Sequence, residues 1–171
     1  MNSALRILLP FVASLSLTVT AIGQSAPAVH LDAEGLAPRP IEQLTGTSLV
    51  RFYAQAWQEM AVALESNRDD LITDEFTGFA KDHLLQRISG QRSTGLHVHI
   101  VDHGHHLKAL FYSTDGAAME LRDHVELEIQ TYDGSKLIDS ELADHDFMVL
   151  MTPGADRWYV RDLEDVSGQS F

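Results

Sequence analysis

The hydrophobic period of this chain changes once, at Leu96. Before it, apolar residues recur at three- and four-residue steps, the spacing of one helix face. After it they alternate with polar residues, the spacing of one strand face. Helices first and strands after is the order of an α+β fold.

In the helical half, Thr47 or Ser48 can act as an N-cap. Leu49, Phe52, Tyr53, Ala56, Trp57, Met60 and Leu64 then share one face of a helix of about five turns. Ser66-Asn67 ends it, and Arg68 to Ile72 fits one short helical turn. Thr73 or Asp74 is expected to cap a third helix, with Phe76, Phe79, Ala80, His83 or Leu84, and Ile88 on one face. Asp74 and Glu75 suit its first turn, Arg87 its last, and Gly90 its end.

The strand half opens with LHVHIVDHGHHLKALF, Leu96 to Phe111, which carries His97, His99, His103, His105 and His106. His103-Gly104 can form the centre of a tight hairpin, because Gly takes positive φ freely and His tolerates it. That register pairs Ile100 with Leu107, Val98 with Ala109 and Leu96 with Phe111 on one apolar face. His103 and His105 then become turn residues. Met119 to Tyr132 is a long strand with Met119, Leu121, Val125, Leu127 and Ile129 facing one way. The Asp133-Gly134 turn signal pairs Ile129 with Ile138 and Val125 with Leu142. The apolar phase breaks at Asp144-His145-Asp146 and resumes at Phe147, Val149 and Met151, as a β-bulge would produce. Arg157 to Leu163 is a last strand with Trp158 and Val160 on one face.

Residues 1–23 have the pattern of a secretory signal peptide. Arg6 precedes an apolar or small stretch from Ile7 to Ile22, and Ala21-Ile22-Gly23 supplies the small residues of a cleavage site. The stretch is short for a membrane span, which needs about 20 apolar residues. The expected location is periplasmic or secreted. Residues 24–46, with Pro27, Pro38 and Pro40, are expected to be an irregular arm or linker, and 167–171 a tail. The chain has no cysteine, so a hydrophobic core over 47–166 must hold the domain without disulfides. With 25 acidic against 12 basic residues the net charge is −13. That repels phosphate backbones and anionic lipid, which argues against nucleic acid and, after cleavage, against membranes as partners.

The FYAQAW helix (Phe52 to Trp57), the NRDDLITDEF connection (Asn67 to Phe76) and the DRWYVRDL strand (Asp156 to Leu163) resemble the NTF2-like superfamily, including its SnoaL-like branch. The resemblance covers Ser48 to Val166. It implies three N-terminal helices packed in a strongly curved antiparallel sheet, a cone around an apolar pocket. Members include isomerases, dehydratases and hydrolases, and also non-enzymatic binding and assembly modules, so fold alone does not give function. The family's enzymes place an Asp, sometimes with His or Tyr, in the pocket. Asp123 is the match, a carboxylate on the otherwise apolar face of its strand, where loss of water suits it to general-base work. The Asp133-Gly134 register sets it opposite Asp144, beside His145 and Asp146, with Tyr53 or His145 to assist. The alternative is that Asp123 sits where the pocket opens to water, or is rotated outward by the bulge.

His97, His99 and His106 share the face opposite the apolar one in the hairpin register. Residues i and i+2 of a strand point the same way, so this set could ligate Zn²⁺ or Cu²⁺. Lys108 opposes a cation there, and the alternative is a solvated sheet face. Three functions follow. The first is an exported module that binds a small apolar ligand or a protein partner without catalysis, with a homodimer through the sheet as one arrangement. The second is a SnoaL-like proton-transfer enzyme using Asp123, and the third a histidine-rich metal-binding protein. The first is expected, because no catalytic constellation stands out.

Overall fold

A computed structural model describes residues 26–72 and 75–168. The signal-peptide expectation, the proposed Thr73 or Asp74 cap and the tail from 169 lie outside the described residues. Five strands form one sheet in the order β1-β2-β3-β4-β5. They are β1 (Val29–Asp32), β2 (Leu96–Tyr112), β3 (Met119–Asp133), β4 (Lys136–Pro153) and β5 (Trp158–Asp165). β1 runs parallel to β2, and the other neighbours are antiparallel. Helices α1 (Gln43–Ser66) and α2 (Gly78–Thr94) pack on the sheet. No helix among the described residues is long and apolar enough to cross a membrane.

Among the described residues there are two α-helices rather than three. The first has the expected buried face, with Leu49, Tyr53, Trp57 and Leu64 at its centre. It starts earlier than its cap signals suggest, because Thr47 donates its hydroxyl back to Gln43 O at 3.0 Å instead of capping. Asn67, in the left-handed region at φ 54°, closes it. Asp69–Leu71 is one 3-10 turn, at the place where a short turn is expected. The last helix begins only at Gly78. Its expected first turn is drawn into the sheet, where Val160 N–H donates to Glu75 O and Thr77 N–H to Val160 O, both at 2.9 Å. Phe76 therefore bridges to Val160, and Phe79 is exposed. Gly90 has open space around it and stays inside the helix, which ends at Gly95, φ 73°.

The expected Leu96–Phe111 hairpin is instead one continuous strand. β2 pairs with β3 along its whole length, Ile100 against Ile129 and Leu107 against Asp123. At His103-Gly104 the register shifts, so the two residues oppose one on β3, which is a β-bulge. A two-residue hairpin turn and a one-residue bulge slip the side-chain phase identically. Both put Val98, Ile100, Leu107 and Ala109 on one face, and all four are buried. Alternation along one strand cannot separate the two; a long partner strand decides for the bulge. A second shift, after Ala109, turns Phe111 outward and Tyr112 inward. Gly104 holds the first bulge at φ 114°, with Ala28 O 3.4 Å from where a Cβ would stand. Gly104→Ala is expected to cost about 1–3 kcal/mol, read by urea unfolding, because an L side chain is strained at that φ.

The β3–β4 register also differs. Asp133 pairs with Lys136, which places Gly134 and Ser135 at the centre of the turn, one residue later than expected. A further shift follows between Thr131 and Tyr132. Val125 therefore faces His145 and not Leu142, and no shift occurs at Asp144–Asp146. Ile138 and Leu142 are exposed. The arm expected to be irregular contains β1, which continues the sheet beside His105–Lys108.

Candidate functional site

Alternation along β3 points Leu121, Asp123 and Val125 to the same side, and all three are fully buried. The carboxylate of Asp123 thus enters the core among apolar neighbours, as its place on the apolar face requires. Tyr53, on the buried face of α1, donates its hydroxyl to Asp123 Oδ2 at 2.7 Å. His105 Nδ1 lies 2.6 Å from the same oxygen. On its other side His105 Nε2 lies 2.7 Å from Asp102 Oδ2. The bulge makes this arrangement possible. Three residues apart on a regular strand, Asp102 and His105 would point to opposite faces; the phase slip turns both inward. Asp102 also fixes the bulge, since its Oδ1 accepts the Gly104 N–H at 2.7 Å.

Trp57 lies over the His105 ring at 4.5 Å between centroids, and Tyr53 meets the ring edge-on at 5.6 Å. Burial alone would lower the His105 pKa, but the hydrogen bonds to Asp102 and Asp123 outweigh it and raise it to about 9. At neutral pH the imidazole is therefore a cation, with both N–H groups donated to carboxylates and the tilted Trp57 ring against it. Burial, then the charge of Asp123, pushes the Tyr53 hydroxyl well above its ordinary range, so it remains a neutral donor. Asp123 Oδ1 is buried without a hydrogen-bond partner, and the Trp57 Nε1–H is buried without a well-aligned acceptor.

The chemistry open to this cluster is narrow. The imidazolium has no lone pair to accept a proton, and Asp123 Oδ2 already accepts twice. Only Asp102 reaches the surface, with 18 % of its side chain exposed. It helps to line a broad groove of about 810 Å³ between residues 26–28, α1 and the bulge. A second cavity, of about 340 Å³, lies between α1, α2 and the strands. Its apolar walls include Trp57, Leu84, Ile100, Leu127 and Phe147, with His83, Arg87, His145 and Asp165 also on it. Asp123, His105 and Tyr53 do not line it. Trp57 touches His105 and lines both cavities.

The structure brings Asp123 and Tyr53 together and leaves His145 out. Asp123 faces Phe147 across the sheet, where Asp144 is expected, because the turn and the shift after it displace β4. His145 instead stacks on Phe147 and holds Asp165 through Nδ1 at 3.1 Å. His97, His99 and His106 have three separate surroundings. His97 stacks on Tyr132, His99 pairs with Glu65 at 3.2 Å, and His106 meets His30 edge-on. No group of three or more His, Cys, Asp or Glu among the described residues could hold a metal ion. Sequence reasoning missed Asp102 and His105. The phase that placed Ile100 and Leu107 inward already placed these two inward as well. Treating them as turn residues hid it.

The intermembrane-space region of the chloroplast protein ARC6 matches this structure with a TM-score of 0.62, covering 74% of this chain and 98% of that one at 9% identity. The chain shares the fold of that region. A putative scytalone dehydratase from Novosphingobium aromaticivorans (TM-score 0.48, 9% identity, 73% of this chain and 89% of that one) is a looser likeness. So is ActVI-ORFA from Streptomyces coelicolor (TM-score 0.47, 10% identity, 76% and 99%). At such identities the likeness is one of fold. No family model matches the chain, and no curated protein matches its sequence.

Proposed function

We propose that this chain is an exported, non-catalytic NTF2-like module that holds a small apolar ligand in the cavity beside Trp57. One observation carries the reading: the buried titratable cluster and the mostly apolar cavity do not coincide. An enzyme of this architecture would need its base within hydrogen-bond reach of the substrate's proton. Here Asp123 is fully buried outside the cavity wall. The cavity itself, about 340 Å³ with mostly apolar walls, has the size and lining of a small-molecule site. Export is proposed from Arg6, the stretch Ile7 to Ile22 and the small residues before Gln24.

Decanol at rising concentration is the test, followed by the emission of Trp57, which lines the cavity. Saturable binding is expected. Ile129, partly buried at the cavity, gives the control. Ile129→Trp fills the space and should weaken binding at least about tenfold, or 1.4 kcal/mol, with cooperative unfolding retained. Absence of saturation in the unsubstituted protein would overturn the proposal. So would any turnover abolished by Asp123→Asn while the fold persists.

A further inference from the structure

The cavity is not apolar all round, and its polar part is unevenly satisfied. Arg39, Arg68, Arg92, Arg122 and Arg157 each have a carboxylate within ion-pair distance, whereas Arg51, Arg87 and Arg161 have none among the described residues. Arg87, on α2 and lining the cavity, has no hydrogen bond or ion pair among the described residues. Its nearest counter-charge is Asp165, which acts on it only through space. Both oxygens of Asp165 are otherwise engaged. His145 Nδ1 lies 3.1 Å from Oδ2, and the Ser167 N–H donates to Oδ1 at 2.8 Å. Arg87 is an exposed residue, so its guanidinium stands on the open side of the cavity, where neighbouring protein lowers its pKa and a ligand can reach it. Of Arg51, Arg87 and Arg161, Arg87 is the one that lines the cavity. His83 lines the cavity from one turn earlier on the same helix and adds a second donor.

We infer that the ligand is an amphipathic carboxylate, its apolar body between Trp57, Leu84, Leu127 and Phe147 and its carboxylate paired with Arg87. The inference rests on the proposed function, because it assigns a ligand class to the same cavity. The planar guanidinium suits a carboxylate, which it can bind through two parallel N–H···O bonds. The pairing also explains why an acidic protein would bind an anion. Long-range repulsion from the net charge is screened beyond about 10 Å at ordinary salt, which leaves the direct contact with Arg87 to decide.

Decanoate and decanol, matched in chain and differing in head group, provide the test. Both are titrated by calorimetry at neutral pH into the unsubstituted protein, Arg87→Gln and Ile129→Trp. Decanoate should bind at least about tenfold tighter than decanol to the unsubstituted protein. Arg87→Gln should weaken decanoate about tenfold and leave decanol unchanged, and Ile129→Trp should weaken both. Equal binding of the two probes, unaltered by Arg87→Gln, would overturn the inference and leave the cavity as an apolar site. Decanoate binding that survives Ile129→Trp would place the anion elsewhere and also overturn it. If neither probe binds, the proposed function falls and this inference with it.

Discussion

Asp123→Ala is expected to lower the unfolding free energy by about 3–5 kcal/mol, the usual consequence of removing one partner from a buried ion pair. The size follows from what Asp123 holds. Its Oδ2 accepts from Tyr53 at 2.7 Å and contacts His105 at 2.6 Å, and all three side chains are buried. Without it, the Tyr53 hydroxyl loses its acceptor and the imidazolium keeps Asp102 alone. Each group left unsatisfied costs about 1–3 kcal/mol. A domain of this size has about 5–15 kcal/mol in all, so the variant sits near the edge of folding. The measurement is urea unfolding, with the midpoint lowered and the slope unchanged. Removing both charges tests the cause. Asp123→Leu combined with His105→Leu should cost clearly less than the sum of the single changes, because the two fully buried charges leave together and the remaining Asp102 reaches the surface. If Asp123→Ala shifts stability by less than about 1 kcal/mol, the cluster is not a stabilising network and its burial has another purpose.

The two members of this cluster that sequence analysis supplied, and the two it missed, show where a single chain stops being informative. Tyr53 and Asp123 are each fixed by the period of their own element, which is local, and both stand where those periods place them. Asp102 and His105 depend on what lies opposite β2. A hairpin and a bulge give them the same inward phase, so alternation was sufficient to find them, but the histidine count drew attention to the outward His97, His99 and His106 instead. The error at His145 is of another kind. Register between strands depends on the turn and on every bulge between it and the site, and a turn displaced by one residue, followed by one shift, moved Phe147 into the place of Asp144. The late start of α2 and the presence of β1 have a common cause. Glu75–Thr77 and Val29–Asp32 are short segments whose backbone groups are satisfied by neighbouring strands, and tertiary hydrogen bonds override their weak local signals. Arg87 carries only a helix-end signal in sequence, and none of a ligand. Its meaning comes from which carboxylates are near it and already occupied.

The stability of the protein is expected to fall as pH rises from about 6.5 to about 9, and His105 sets the window. Its folded pKa, about 9, lies above the ordinary 6.5. The folded state thus binds the proton more tightly than the unfolded one. The contribution is complete below the unfolded pKa and is lost as pH passes the folded value. A separation of this size corresponds to a loss on the order of 3 kcal/mol across the window. The carboxylates act at the other end. Asp146, held below the usual range by its hydrogen bond to Arg122, stabilises above about 3.8 and loses that contribution as pH falls further. It therefore cannot mimic a decline on the alkaline side. Tyr53 cannot either, since its hydroxyl ionises well above 10. Urea midpoints at several values between pH 5.5 and 9.5 give the profile, and His105→Gln should flatten it while lowering stability throughout. A midpoint that stays level across this window in the unsubstituted protein would mean that His105 is neutral when folded. One of its nitrogens would then carry no hydrogen to donate, a different charge state for the cluster. The slope therefore reports how many charges the core holds where His105 meets Asp123 at 2.6 Å and Asp102 at 2.7 Å.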